Sequence, residues 1–74
     1  MAKSKVSNEI RMLRFMNNEM TQQALAEAVG VSRQTIVAIE KGNYSPSLEL
    51  AFKLARVFDK TLDEVFSYDE NDKK

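Results

Sequence analysis

Apolar residues in this chain recur every three or four positions and seldom alternate, a pattern that predicts helices joined by short connections. A first helix is expected from about Asn8 to Asn17, with Ile10, Leu13 and either Met16 or Asn17 turned inward. Thr21 has the side-chain oxygen that caps a helix N-terminus. The helix it opens carries Leu25, Ala26 and Val29 on one face and stops before Gly30. Ser32 opens a third helix, in which Ile36 and Ile39 point in, and Gly42 ends it. Asn43-Tyr44-Ser45-Pro46 is built of turn-forming residues and reads as a loop. Ser47 caps a fourth helix with the stripe Leu50, Ala51, Leu54 and Phe58. Thr61-Leu62-Asp63-Glu64 has the spacing of a capping box and opens a short fifth helix bearing Leu62, Val65 and Phe66. The expected architecture is all-α: one domain over residues 1–68, then a polar tail over 69–74 that frays.

Composition narrows the chemistry more than the fold. Seventy-four residues make one domain at most, near the lower end of what folds without staples. The chain has no cysteine and no histidine, so disulfides, thiolate metal sites and an imidazole acid–base catalyst are all excluded. The core must come from helix packing, aided by a second subunit. Apolar runs are only a few residues long, and the start of the chain, with Lys3 and Lys5, lacks the stretch of a signal peptide. A cytoplasmic protein with no membrane contact is expected. Net charge is zero, but residues 1–45 hold six Lys/Arg against four Asp/Glu, while residues 46–74 hold five against seven. That asymmetry suits a basic half facing a polyanion and an acidic half facing solvent or a partner, although ordinary surface charge would look the same.

The informative stretch runs from Thr21 to Gly42. Two helices that cross steeply over a short turn need a small residue where they meet, and Ala26 stands there. The turn needs one residue with positive φ, which Gly30 supplies without a Cβ clash. Val31, Ile36 and Ile39 then bind the second helix of the pair to the core. Its other face, Arg33, Gln34, Val37 and Ala38, has no core role and is left pointing outward. Such a face suits the major groove of duplex DNA. Arg pairs bidentately with guanine, Gln with adenine, and Thr or Val methyls meet thymine methyls. A helix N-terminus beside Ser32 also offers free N–H groups to a phosphate.

Thr21-Gln22, Leu25-Ala26, Gly30 to Ile36, Ile39-Glu40-Lys41-Gly42 and Pro46-Ser47-Leu48 together resemble the Cro/C1-type (Xre) helix-turn-helix repressors, over about residues 8–68. Within that family the chain is similar to the short dimeric regulators of five helices. The resemblance implies a compact lambda-repressor-like fold with Gln22 on a phosphate and Arg33, Gln34 and Ala38 towards bases; Val37, on the same face, is expected to join them, and Ser32 and Thr35, at the helix start, to meet phosphates. It places Lys41, Asn43 and Ser45 against the backbone too. It further implies a homodimer joined near the C-terminus, where Leu62, Val65, Phe66 and Tyr68 exceed what a one-turn helix needs for internal packing. Residues near Lys3–Val6 are expected to pair with Phe66–Tyr68. Members pair an arginine of helix 1 with the glutamate ending helix 3, here Arg14 and Glu40. Two departures stand out. Ala38 occupies a position where relatives place a polar base-reader, and the turn Asn17-Asn18-Glu19-Met20 is one residue longer than the common form, which leaves the Arg14–Glu40 pairing open.

The remaining features have plain readings. Phe15, Phe52 and Phe58 are expected in the core or an interface rather than as stacking platforms for single strands. Asp69-Glu70-Asp72 is expected to be a solvated tail, and the four methionines form no stripe, so no cofactor or small-molecule ligand is expected. The leading expectation is a regulator that binds an inverted repeat in double-stranded DNA as a homodimer and represses. An antitoxin would add a toxin-binding segment, for which the residues after Tyr68 are too few. An enzyme would need a catalytic set that this composition does not offer. A structural adaptor would leave the Ser32-Arg33-Gln34-Thr35 face unexplained.

Overall fold

A computed structural model describes residues 6–68. Its elements, in chain order, are β1 (Val6–Asn8), α1 (Ile10–Met16), α2 (Gln22–Val29), α3 (Arg33–Lys41), α4 (Leu48–Val57), α5 (Leu62–Val65) and β2 (Phe66–Tyr68). The tail over 69–74 lies outside the described residues.

The helix starts follow the polar signals in the sequence. Thr21 accepts from the Ala24 amide at 2.9 Å, Ser32 from Thr35 at 3.2 Å and Ser47 from Leu50 at 3.2 Å. Each bond satisfies a donor that the first turn of a helix leaves without a partner. At α5 the Glu64 carboxylate reaches back to accept the Thr61 N–H at 2.8 Å, the returning half of a capping box. The ends are equally local. Gly30 closes α2 at φ +78°, and its N–H and that of Val31 both return to the Ala26 carbonyl. A Cβ on Gly30 would meet nothing within 4 Å, so the glycine answers to backbone conformation and not to space.

Two turns take the same left-handed path without glycine. Asp59 follows α4 at φ +56°, and the Lys60 N–H returns to Ala55 O at 3.0 Å. In the longer turn after α1, Asn18 and Glu19 lie at φ +58° and +55°, and Met20 N–H bonds Arg14 O at 2.8 Å. The extra residue is thus absorbed by two consecutive left-handed residues.

The amino end departs from expectation in three ways. First, the helix does not begin at Asn8. That residue ends β1, and its side chain accepts the Ile10 N–H at 3.1 Å while donating to Ile39 O at 2.9 Å. Asn8 thereby ties the start of α1 to the last turns of α3. Second, Met16 is 70% exposed and Asn17 is exposed, so only Ile10 and the half-buried Leu13 face inward from α1. Third, the terminal pairing takes in Ser7 and Asn8, beyond the expected Lys3–Val6 stretch. β1 and β2 are antiparallel with Val6 opposite Tyr68, Ser7 opposite Ser67 and Asn8 opposite Phe66. Val6 and Phe66–Tyr68 pair as expected, and Lys3–Lys5 lie outside the described residues. Paired Ser7 and Ser67 hydroxyls, 2.9 Å apart, reinforce the register.

All five helices contribute to one core. Ile10, Leu25, Ile36, Ile39, Leu54 and Val65 are its largest wholly enclosed side chains. Leu13, Met20, Val31, Val57 and Phe66 pack on its margin. Of the three phenylalanines expected in a core or interface, Phe58 is in the core, whereas Phe15 and Phe52 are exposed. Val65, expected at a subunit interface, is only 1% exposed within the single chain. A four-residue helix has one inward position facing α4, and Val65 fills it.

Candidate nucleic-acid interface

The site is built by α2, the Gly30 turn and α3. Ile36 and Ile39 lock the inner face of α3 into the core, which sets the rotation of that helix about its own axis. Arg33 and Gln34 are consequently exposed at its N-terminal end, with Val37 and Ala38 half-buried on the turns behind them. Ser32 and Thr35 stand at the capped start, their hydroxyls 3.1 Å apart. Lys41, Asn43 and Ser45 are exposed where the chain leaves α3.

One polar network underlies this surface. Arg14 of α1 grips Glu40 of α3 with two bonds, Nε to Oε2 at 2.6 Å and Nη2 to Oε1 at 3.0 Å. Its remaining Nη1 donates to the Met20 carbonyl at 2.8 Å, across the long turn. The pair is sheltered, its two side chains being 15% and 9% exposed. Two-bond arginine–carboxylate contacts fix both planes and are stronger than neutral hydrogen bonds. The extra residue in the α1–α2 turn therefore does not break the pairing: the turn bends so that its own carbonyl joins it. Gln22 Nε2 donates to Glu40 Oε1 at 3.1 Å, and Arg33 Nη1 donates to Gln22 Oε1 at 3.3 Å. Gln22, expected to face a phosphate, is thus already engaged on both ends of its amide.

A shallow depression beside α2 is lined by Arg11, Arg14, Thr21, Gln22, Val37, Glu40 and Lys41. Arg11 has no part in the expectation from sequence. It lies three residues before Arg14 and so on a neighbouring stretch of the same helix face, which brings an exposed cation beside Gln22 and Lys41. The available signal was its spacing from Arg14, usable only once that residue was anchored. On a different part of the surface, Val6, Leu62, Asp63, Phe66, Ser67 and Tyr68 line a mostly apolar hollow formed by α5 and the strand pair. Tyr68 is 62% exposed there. Among the described residues, no group of acidic side chains is placed to hold a metal ion, and no helix is long and apolar enough to cross a membrane.

With this geometry, the sequence profile of the helix-turn-helix family matches residues 10–65. The chain belongs to that family, in its Cro/C1 (Xre) branch. This regulator is 46% identical over 67 residues to a helix-turn-helix-type transcriptional regulator of Methanocaldococcus jannaschii, itself uncharacterised, covering 90% of this chain and all of that one. It is 38% identical over 64 residues to the CTXphi phage transcriptional repressor RstR of Vibrio cholerae, covering 86% of this chain and 57% of the repressor. Among solved structures, the P22 c2 repressor in complex with a synthetic operator superposes with a TM-score of 0.67 at 30% identity, over 73% of this chain and 80% of that one. The restriction-modification controller protein C.AhdI of Aeromonas hydrophila gives 0.65 at 31% identity, over 74% and 78%. The fold is the lambda- and P22-repressor-like helix-turn-helix domain, with a short two-stranded sheet added. The family and these relatives are DNA-binding transcriptional regulators and not enzymes.

Proposed function

We propose that this regulator represses transcription by binding a short inverted repeat in double-stranded DNA as a homodimer. The observation that carries the reading is the split of α3: Ile36 and Ile39 are sealed in the core while Arg33 and Gln34 stand exposed at its capped N-terminal end. Arg33 and Gln34 read base edges in the major groove, and Val37 and Ala38 offer only apolar contact deeper along the helix. Gln22, Ser32, Thr35, Lys41, Asn43 and Ser45 border that face and hold the phosphate backbone on either side, joined by Arg11. The solved P22 repressor–operator complex shares this fold and supports the docking mode.

Dimerisation follows from information content. One recognition helix reads a few base pairs, too few to single out a site in a genome, and a chain of zero net charge has little non-specific attraction in reserve. The apolar hollow of Leu62, Phe66 and Tyr68 is the surface assigned to the partner, Val65 being withdrawn from it into the core. The deciding experiment is selection of bound fragments from random duplex DNA, followed by sequencing. An inverted repeat with half-sites about one helical turn apart, roughly 34–36 Å, is expected. Recovery of no shared motif, or of a single unrepeated half-site, would overturn the reading.

A further inference from the structure

Glu40 lies about two turns along α3 from Arg33, sheltered beneath Arg14, and two hydrogen bonds connect it to Arg33. We propose that Glu40 is a positioning residue for base recognition: through the amide of Gln22 it sets where the Arg33 guanidinium stands before DNA arrives. The proposal rests on the reading that Arg33 contacts a base.

The argument is one of donors and acceptors. A carboxylate can only accept and a guanidinium can only donate. The Gln22 amide sits between the two, with Nε2 at 3.1 Å from Glu40 and Oε1 at 3.3 Å from Arg33. Only one orientation of that amide satisfies both neighbours. A flipped amide would set oxygen against oxygen at Glu40 and N–H against N–H at Arg33. Glu40 cannot yield, because Arg14 holds both its oxygens and is itself held by Met20 O. Polarity therefore runs outward from a fixed carboxylate, through Gln22, to the one flexible cation at the start of the recognition helix. The second N–H of Gln22 remains for a phosphate, and most of the Arg33 donors remain for a base. A side chain held near its bound position has less freedom to lose on binding, which sharpens discrimination.

The test uses the full chain and a panel of single-base variants of the selected operator. Gln22→Met cuts the relay and removes a backbone contact. Its expected signature is a loss common to the whole panel, plus a fall of about fivefold in discrimination at the base pair read by Arg33, the effect of one lost hydrogen bond. Glu40→Gln keeps shape but replaces one of the two accepting oxygens by a donor. One amide oxygen cannot serve Arg14 Nε, Arg14 Nη2 and Gln22 Nε2 together, so Gln22 is held less firmly and Arg33 loses its fixed place. Discrimination should fall at that base pair and at no other. Adding Gln22→Glu to Glu40→Gln again offers Arg33 an acceptor, so discrimination there should return even as overall affinity drops from the added negative charge.

A purely structural Glu40 would instead scale binding equally across the panel, with no rescue, and that result overturns the proposal. Arg33→Ala on the same panel separates the two claims. Loss at one base pair for Arg33→Ala but none there for Gln22→Met or Glu40→Gln overturns the relay alone. Equal losses everywhere for Arg33→Ala overturn the base-reading assignment, and the relay with it.

Discussion

Gly30 shows how a single residue is chosen by backbone conformation. It sits at φ +78° with open space where a Cβ would lie, so a methyl there meets no neighbour and only the left-handed backbone resists it. Gly30→Ala should therefore lower stability by about 1–2 kcal/mol, the cost of a left-handed residue with a Cβ, while leaving the fold intact. Urea denaturation checks this, and a loss several times larger would mean that the two helices had been forced apart. Glu19, at φ +55°, presents the converse case. Glu19→Gly should raise the melting midpoint, since removing the Cβ relieves a comparable strain that the larger unfolded-state entropy of glycine only partly offsets. At the same scale, Arg33→Ala should cost about 1–3 kcal/mol at particular base pairs of the operator, whereas Lys41→Ala should weaken all sequences alike and lower the salt slope of binding by about one.

At the scale of elements, most of the positioning comes from how short helices are tied to one another. α1 has seven residues and only Ile10 fully buried, too little to hold it by packing alone. Its attachment to α3 is polar at both ends: Asn8 bonds the Ile39 carbonyl, and Arg14 grips Glu40. Arg14→Met should accordingly destabilise the domain by about 3 kcal/mol, because it strands a sheltered carboxylate that also loses its geometry. The double replacement of Arg14 and Glu40 by apolar residues of similar size should cost much less. Thermal unfolding of the two variants decides it: equal losses for the single and double changes would show that desolvation of Glu40 is unimportant. Loss of the Ser32 cap by Ser32→Ala should cost about 1 kcal/mol and fray the first turn of α3, where the base-facing residues stand.

For the whole molecule, the division of the C-terminal apolar residues between core and surface decides what a mutation does. Val65 is in the core, so Val65→Asp should unfold the chain and lose its helical circular dichroism. Tyr68 and Leu62 border the outward hollow, so Leu62→Glu with Tyr68→Glu should keep the helical signal yet give a monomer that fails to bind its operator. Sedimentation at micromolar concentration checks both. A wild-type monomer free of DNA would remove the dimer. Stability that rises with protein concentration would support it, since association favours the folded state by mass action.

Local rules were legible in the sequence because they act over three or four residues. Thr21, Ser32 and Ser47 as caps, the capping-box pair Thr61 and Glu64, Gly30 and Gly42 as terminators, and the inward Leu25, Ile36, Ile39 and Leu54 follow from periodicity and from backbone donors that need partners. The contrast between Ile36 and Ile39 inside and Arg33 and Gln34 outside was legible for the same reason. What sequence could not decide are relations between residues far apart in the chain. Whether Asn8 starts a helix or ends a strand depends on Ile39 O and on the register with Phe66. Whether Arg14 meets Glu40 depends on two left-handed residues, Asn18 and Glu19, that no glycine announces. Whether Val65 is core or interface depends on which side of a one-turn helix faces α4, and four residues are too few to carry a periodicity. In the first two cases a contact across 26 residues or more must outweigh local preference, and only the packed structure brings those partners within bonding distance.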